Sequence, residues 1–277
     1  MELNWLQSLV LGLVSGLTDL LPLSSQAHQT ILLKFFGQTG AIPVTRLVIH
    51  VASILTILVC MRNRLGQIRR QKRLLRMPRR RRNRPVDMSV LMDLRILRTA
   101  LVPMLAMLLL YGVTRRWNGL LALAGFAICN AAVLYLPSLF PTADKDSRLV
   151  TPMESLYMGL GAGAGILPGM SAMAAGYSVG VLHGIDKKYM LHLAVFMHLV
   201  ITAGKAFYDV LDLLTAGIAA PGVWDILGWT AAAASAVLGT VLALGILNRV
   251  IHRKDFTCFS FYSFGLALLA FILYLVV

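Results

Sequence analysis

Polar and ionisable side chains gather at a proline-containing interruption in the apolar N-terminal part of the chain. This interruption, DLLPLSSQAHQ, covers residues 19–29 and holds Asp19, Ser24, Ser25, Gln26 and His28. A serine hydroxyl can donate to phosphate oxygens, or attack phosphorus when a base lies near. His28 has the chemistry of such a base, and also that of a cation that stabilises negative charge. Asp19 can orient His28, bind a divalent metal ion or act as a base itself.

A structural explanation competes with this chemistry, because Asp and Ser often cap the first turn of a helix. Capping accounts for Ser24 about as well as ligand binding does. For Asp19 and His28 together a functional site is favoured, since ionisable groups inside membrane segments are costly. Helices that begin at such an interruption also present free backbone N–H groups, which suit an anion such as phosphate.

A second interruption, GILPGMSAMAAG at 165–176, is poorer in polar groups. It offers a glycine-flanked backbone and one hydroxyl, so Gly169 and Ser171 are the candidates for contact with a ligand. Close packing of helices explains most of the glycines in this region without any ligand.

Several further ionisable residues lie within apolar segments. Arg46 and His50 are four residues apart, so they share one face of a helix. Arg46 can simply extend to the membrane surface, and a hydrogen-bonded structural role fits His50 as well as ligand binding does. His198 and Lys205 lie together on a segment of the second half. Lys205 can supply positive charge to an anion, but its spacing favours an ion pair with Asp209.

The composition places these residues in a membrane protein. Of the 277 residues, 58% are hydrophobic and 14% are charged, whereas a typical soluble domain has about 25% charged residues. Six segments approach the roughly 20 apolar residues that a spanning helix needs. The predicted spans are about 44–61, 96–113, 117–137, 189–209, 226–247 and 257–277.

Two further apolar regions, about 4–37 and 153–184, are each divided by one of the proline interruptions. The residue before a proline avoids the α conformation, so each region is predicted to be a broken or re-entrant helix pair. Three spans follow each pair, which divides a single membrane domain into a first repeat, 1–140, and a second, 150–277. The predicted fold class is an all-α integral membrane protein with inverted repeats, and a site is expected where the broken helices meet.

The net charge of +14 is concentrated in one connection between spans. Twelve of the 26 Lys and Arg residues lie in 62–84, within a loop predicted at 62–95. Such a loop indicates the cytoplasmic side of the membrane and contact with anionic lipid headgroups. Nucleic-acid binding is disfavoured, since the loop lacks interleaved aromatic residues. In this topology the two repeats have opposite orientations in the membrane. Arg115 and Arg116 are predicted to lie outside, as the exception to the rule that basic residues lie on the cytoplasmic side.

The first interruption lies in a stretch that resembles a signature of the bacterial undecaprenyl-diphosphate phosphatases, the BacA/UppP family. The stretch is GLVSGLTDLLPLSSQAH, residues 12–28, and the signature is G-x-x-E-G-x-T-E-F-L-P-x-S-S-x-G-H. The next span, TRLVIHVASILTILV at 45–59, resembles that family's next span, where His or Gln stands at the place of His50. The segment PGMSAMAAGYSVG, 168–180, is similar to a second signature, P-G-x-S-R-S-x-x-T. The resemblance covers essentially the whole chain.

This resemblance implies a multi-pass enzyme of the bacterial inner (plasma) membrane. It hydrolyses undecaprenyl diphosphate to the monophosphate, the lipid carrier of cell-wall precursors, usually with a divalent cation such as Mg²⁺ or Ca²⁺. The residues implied to be catalytic are Asp19, Ser25 and His28, with Asp19 also the metal ligand. The residues implied to bind the substrate are Ser24, Gln26, His50, Gly169 and Ser171.

Two departures from the family pattern bear on catalysis. Ser15 stands where the family has its first Glu, and Ala172 where it has the signature Arg. Arg binds phosphate through two parallel hydrogen bonds that Ala cannot make, and losing one such donor costs about 10²–10³ in rate. Arg46 and Lys205 are the candidates to replace the charge.

Because of these departures, an alternative stays open: a degenerate member that binds or flips polyprenyl phosphate without hydrolysis. An inverted repeat suits such alternating access. A purely structural membrane partner explains the fold but not the retained Asp, Ser and His. The sequence leaves the oligomeric state open, a homodimer included.

Overall fold

Helices make up most of the computed structural model, which describes residues 3–38, 42–81, 85–117, 119–140, 144–216, 221–252 and 256–276. Within these ranges the only β pairing is an isolated bridge between Lys145 and Ile185. The helices in chain order are α1 (Trp5–Leu20), α2 (Ser25–Phe35), α3 (Pro43–Cys60), α4 (Arg62–Arg76), α5 (Met88–Thr114), α6 (Leu120–Tyr135), α7 (Pro152–Gly163), α8 (Ala172–Leu182), α9 (Lys187–Ala216), α10 (Val223–His252) and α11 (Thr257–Val276).

Six of these helices are long and apolar enough to cross a membrane, namely α3, α5, α6, α9, α10 and α11. All six predicted spans are confirmed, and the chain is an all-α, multi-pass integral membrane protein. Two helices extend well beyond their predicted ends: α5 begins at Met88 and α9 continues to Ala216. The hydropathy pattern marks only the apolar part of a helix, whereas its backbone hydrogen bonds continue into the polar flanks.

The two proline interruptions separate four short helices. The backbone after α1 is extended, and α2 starts after Ser24, whose hydroxyl accepts a hydrogen bond from the Ala27 N–H. In the second half a 3₁₀ turn, Ala164–Ile166, follows α7, and Ser171 caps α8 in the same way. The four helices have 16, 11, 12 and 11 residues. At about 1.5 Å per residue, none of them alone crosses a hydrocarbon core of about 30 Å.

The packing of the two halves corresponds helix by helix. α1 packs along α10 and α7 packs along α5, while α3 contacts α9 and α6 contacts α11. Glycine permits the first two contacts: a Cβ on Gly12 would lie 2.3 Å from the carbonyl oxygen of Ala232, and one on Gly159 would lie 2.2 Å from that of Ala100. Two repeats would produce this pattern. The repeat boundaries and their opposite orientations stay predictions.

The basic connection after α3 is largely helical, although the sequence predicts a loop there. Its Arg, Lys, Leu and Gln residues are good helix formers, and Ile68 is the one buried residue of α4. The guanidinium of Arg64 lies 2.5 Å from one carboxylate oxygen of Asp93, and Tyr189 donates to the other at 2.7 Å. These contacts tie α4 and α9 to the start of α5. Residues 82–84 of the connection lie outside the described part of the chain.

Candidate functional site

A small buried cavity lies where the two breaks meet the middle of α9. Its polar lining, among the described residues, consists of Asp19, Ser25, Ser171, His198, Thr202 and Lys205. The first interruption contributes the first two of these side chains, the second interruption contributes one, and α9 contributes three. The cavity is the place where both breaks and a charged helix face come together.

Asp19 is the carboxylate of this cavity, and its side chain is 9% exposed. Its Oδ2 lies 3.3 Å from Nε2 of His198, and the same nitrogen lies 3.1 Å from the hydroxyl of Thr202. The approach to His198 is within ion-pair distance, yet Oδ2 accepts no hydrogen bond from any described residue. A buried carboxylate oxygen without a donor is costly. This oxygen is therefore available to a proton or donor that arrives with a ligand.

Two helix N-termini meet at the cavity. α2 begins at Ser25 and α8 begins at Ala172, and both residues belong to the lining. The Ser25 hydroxyl accepts a hydrogen bond from the side-chain amide of Gln29 at 3.2 Å. The first-turn N–H groups and the dipole of a helix favour negative charge at its N-terminus. With two N-termini at one cavity, the arrangement suits phosphate oxygens.

Lys205 brings positive charge to this cavity. Its Nζ donates to the Gly165 carbonyl oxygen of the second break at 2.8 Å, and Ala172, at the position of the signature Arg, lines the same cavity. The described residues show no ion pair between Lys205 and Asp209, so that prediction is wrong; Asp209 Oδ2 instead lies 2.6 Å from Nδ1 of His50. The helical spacing permits the predicted pair, but neighbouring helices offer each side chain another partner.

His28 is turned away from the cavity and toward α11. Its Nδ1 lies 2.7 Å from the Ser24 carbonyl oxygen, and its Nε2 lies 2.8 Å from the Tyr262 hydroxyl. A carbonyl oxygen can only accept, so Nδ1 carries a proton, and Nε2 is engaged by the Tyr262 hydroxyl, which donates to it when the ring is neutral. The described lining of the cavity thus includes Asp19 and Ser25 but not His28, and its predicted action together with these two residues stays a prediction.

The five residues predicted to bind substrate occupy different places. Ser171 lines the cavity, whereas the described lining does not include Ser24, Gln26, His50 or Gly169. The Ser24 hydroxyl serves as the cap of α2, and His50 is engaged by Asp209. Contact of these four residues with a substrate stays a prediction.

Gly169 has a clear structural function in the second break. Its φ is +96°, a region that residues with a Cβ rarely adopt. A Cβ at this position would also lie 2.5 Å from the Leu123 carbonyl oxygen and 2.8 Å from the Ala127 nitrogen. Glycine is therefore required for the break to fold against α6.

Asn130, on α6, connects the two breaks and is missing from the sequence-based prediction. Its side-chain NH₂ donates to the Pro22 carbonyl oxygen at 3.3 Å and to the Ser263 hydroxyl at 3.1 Å. Its Oδ1 accepts from the Ser171 backbone N–H at 3.0 Å. The residue is completely buried. The sequence did contain a signal for this role, namely a lone Asn within an apolar span. A buried amide needs hydrogen-bond partners, so such a residue indicates a polar contact between helices.

Replacement of Asn130 by Leu keeps the number and branching of the side-chain heavy atoms but removes these three hydrogen bonds. We expect a lower thermal midpoint of unfolding in detergent, because each buried polar group left without a partner costs about 1–3 kcal/mol. Asn63→Leu, at an exposed position of α4, is the matched control. Equal midpoints for the two variants would show that Asn130 does not hold the breaks together.

A divalent cation fits this site only together with a bound diphosphate. Asp19 is the only carboxylate in the described lining, and the described residues contain no group of three His, Cys, Asp or Glu side chains that could hold a metal. Ser15, one helical turn before Asp19, has a buried hydroxyl with no hydrogen-bond partner among the described residues. Mg²⁺ is often held by one or two carboxylates together with substrate phosphates and waters. Asp19 would be the protein ligand in such an arrangement.

Comparisons with known proteins cover nearly the whole chain. Residues 8–269 match the family model described as "Bacitracin resistance protein BacA". "Undecaprenyl-diphosphatase 1" of Shouchella clausii (strain KSM-K16) is 22% identical over 275 residues, which cover 98% of this chain and 96% of that protein. The "Undecaprenyl-diphosphatase" of Methylobacillus flagellatus is 25% identical over 276 residues, with 95% and 96% covered. That of Burkholderia mallei (strain SAVP1) is 26% identical over 285 residues, with 96% of each chain covered.

Proposed function

The chain belongs to the bacitracin resistance protein BacA family, and on that premise we propose that it hydrolyses undecaprenyl diphosphate to the monophosphate and inorganic phosphate. The predicted family resemblance is confirmed by the match over residues 8–269. Relatives named undecaprenyl-diphosphatase align with this chain over nearly their full length. The product is the lipid carrier on which cell-wall precursors are built, so the reaction recycles that carrier.

One observation supports this proposal above the others. One buried cavity joins the carboxylate of Asp19, whose Oδ2 accepts no hydrogen bond from a described residue, to two helix N-termini and the ammonium group of Lys205. The carboxylate can accept a proton, while the N-termini and the ammonium group attract phosphate oxygens. A phosphohydrolase needs both functions within reach of one phosphorus atom.

The reaction follows from these positions. An attacking oxygen, from water or from Ser25, bonds to the terminal phosphorus, and the bridging P–O bond breaks to release the lipid monophosphate. Asp19 accepts the proton of the attacking oxygen, and His198 beside it stabilises the ionised carboxylate beforehand. If Ser25 attacks, a water then releases phosphate from the phosphoserine. A bound Mg²⁺ or Ca²⁺ would neutralise charge on the diphosphate oxygens.

Lys205 and the helix N-termini stabilise the charge that grows on the phosphate oxygens during this step. Such preorganised donors usually supply the largest single contribution to catalysis. Lys205 takes over the charge of the missing signature Arg, because it is the cationic side chain that reaches the cavity beside Ala172. His28 holds the first turn of α2 through the Ser24 carbonyl oxygen, so in this proposal it positions Ser25 rather than serving as the base.

Phosphate release from undecaprenyl diphosphate by the purified full-length chain tests this function. The assay has three arms, with Mg²⁺, with Ca²⁺ and with a chelator, and a preparation from membranes that lack the protein provides the blank. Release above the blank in at least one arm is the expected result. Ser25→Ala then separates the two nucleophiles, because loss of Ser25 abolishes the reaction only if its hydroxyl attacks.

The alternative, lipid binding or flipping without hydrolysis, is favoured by Ser15 and Ala172 at the positions of the family's Glu and Arg. It predicts that the chain binds the monophosphate or diphosphate lipid but releases no phosphate in any arm. That result would overturn the proposed hydrolysis. Absence of both binding and release would overturn both functions.

We further propose that the protein resides in the bacterial inner membrane and that α4 contacts anionic lipid headgroups there. α4 is rich in Arg and Lys, and most of its residues are exposed. We expect phosphatidylglycerol to raise the thermal midpoint of the wild type more than that of an Arg69→Gln, Arg70→Gln, Arg73→Gln variant, since each basic residue near an anionic surface contributes about 1 kcal/mol. Equal shifts in both proteins would contradict this contact.

A further inference from the structure

A second polar cleft, of about 310 Å³, lies at the end of the bundle where α3 begins and where α5 and α9 end. Among the described residues, its charged lining consists of Arg46, Arg115, Arg116, Asp209 and Asp212. None of these residues belongs to the described lining of the buried cavity. The charge pattern of the sequence predicts that this end faces the outside, where Arg115 and Arg116 are the exception to the positive-inside rule.

The two carboxylates of the cleft already have partners. Asp209 lies 2.6 Å from Nδ1 of His50. Asp212 accepts from the Arg115 guanidinium at 2.7 Å, and that guanidinium also lies 5.2 Å from the centre of the Tyr208 ring. Arg115 is therefore held in place, with its charge balanced by Asp212. Three arginines face these two carboxylates, so the described lining of the cleft carries one net positive charge, and the described residues show no ion pair of either carboxylate with Arg46 or Arg116.

Arg46 is the residue that most clearly lacks a partner. Its Nε is buried and donates to no described residue, and the described part of the chain shows no ion pair between Arg46 and a carboxylate. The side chain as a whole is half-buried, and an anion in the cleft would give its buried Nε–H the acceptor that it lacks. Arg116 is exposed at the same cleft and adds a second positive charge.

One face of α9 connects this cleft with the buried cavity. His198, Thr202 and Lys205 face the cavity, whereas Asp209 and Asp212 face the cleft. Lys205 and Asp209 are one helical turn apart, about 6 Å along the axis at 1.5 Å per residue. The cavity has a volume of about 10 Å³, room for roughly one water molecule. A diphosphate does not fit into this volume, so the structure around the cavity must open to admit it. The cleft is the polar space that adjoins the cavity along α9.

We propose that this cleft binds a phosphate-type oxyanion beside the catalytic cavity, with Arg46 and Arg116 as its ligands. The anion is either the headgroup of the lipid before it enters the cavity or inorganic phosphate after it leaves. The assignment of these two sources rests on the proposed hydrolysis. The presence of an anion site rests only on the net positive charge of the cleft, the Arg46 Nε that lacks an acceptor and the shape of the cleft.

Calorimetric titration of the purified full-length protein with inorganic phosphate tests the site without any turnover. Arg46→Gln and Arg116→Gln are made singly and together, and Arg62→Gln, at an exposed position of α4, is the control. We expect each cleft variant to weaken phosphate binding about tenfold, because a charged hydrogen bond is lost. Arg116→Gln also guards against a folding defect, since its side chain is exposed, and thermal midpoints confirm that all variants are folded.

Steady-state kinetics then separate the two sources of the anion. A weaker inhibition by added phosphate, with KM for the lipid unchanged, assigns the cleft to the leaving phosphate. A higher KM for the lipid diphosphate, with inhibition by added phosphate unchanged, assigns it to the headgroup. Phosphate affinity and KM that both equal those of the Arg62→Gln control in the double variant would overturn the proposal. If the chain shows no hydrolysis, Arg46-dependent binding in the calorimeter still supports the anion site.

Discussion

Phosphate release is expected to fall by about 10²–10⁴ when Asp19 is replaced by Asn, because a positioned general base contributes that much to rate. Asn has nearly the same shape as Asp, so the buried surroundings of the side chain are retained. Its amide cannot accept the proton of the attacking oxygen. Initial rates at saturating undecaprenyl diphosphate, compared with the wild type in the same detergent, measure the loss.

Two further variants make this result specific. Asp144→Asn, at an exposed position, should retain the wild-type rate, since it lies outside the lining of the cavity. His198→Gln removes the imidazole that lies 3.3 Å from Asp19 Oδ2 and should reduce the rate less than Asp19→Asn does. The opposite order, with Asp19→Asn active and His198→Gln inactive, would identify His198 as the base.

Replacement of Lys205 by Met is expected to lower the rate by about 10²–10³, the effect of removing one preorganised donor from a charge-stabilising site. Met keeps much of the length of the side chain but has no charge and no N–H donor. The loss should appear in kcat as well as in kcat/KM, because the interaction strengthens as charge develops in the transition state. Phosphate release over a range of substrate concentrations separates the two constants.

Lys205 also donates to Gly165 at 2.8 Å, so a loss of stability must be distinguished from a loss of catalysis. The thermal midpoint of Lys205→Met reports on stability. Lys188→Met, at an exposed position near the start of α9, controls for charge removal. Lys205→Arg, which retains the positive charge, should be more active than Lys205→Met. A folded Lys205→Met variant with the wild-type rate would show that Lys205 does not replace the signature Arg.

The architecture followed from patterns that act locally along the chain. Runs of apolar residues long enough for a bilayer predicted the six spans, and Pro22 and Pro168 predicted the two breaks. The capping of α2 by Ser24 and of α8 by Ser171 is also the kind of contact that a sequence can predict, because a cap joins residues three apart. The motif at 12–28 indicated the family for the same reason, since it is contiguous in sequence.

The composition of the site depended on how the helices are turned about their own axes, which a local pattern does not specify. His28 lies in the most specific motif, yet its helix directs it to Tyr262 on α11. Lys205 and His198 lie on an ordinary span, and the packing of α9 against the two breaks brings them to Asp19. The sequence by itself therefore determined the spans, the breaks and the family. Only the tertiary structure decided which charged groups share one cavity, because that choice is made by contacts between residues distant in the chain.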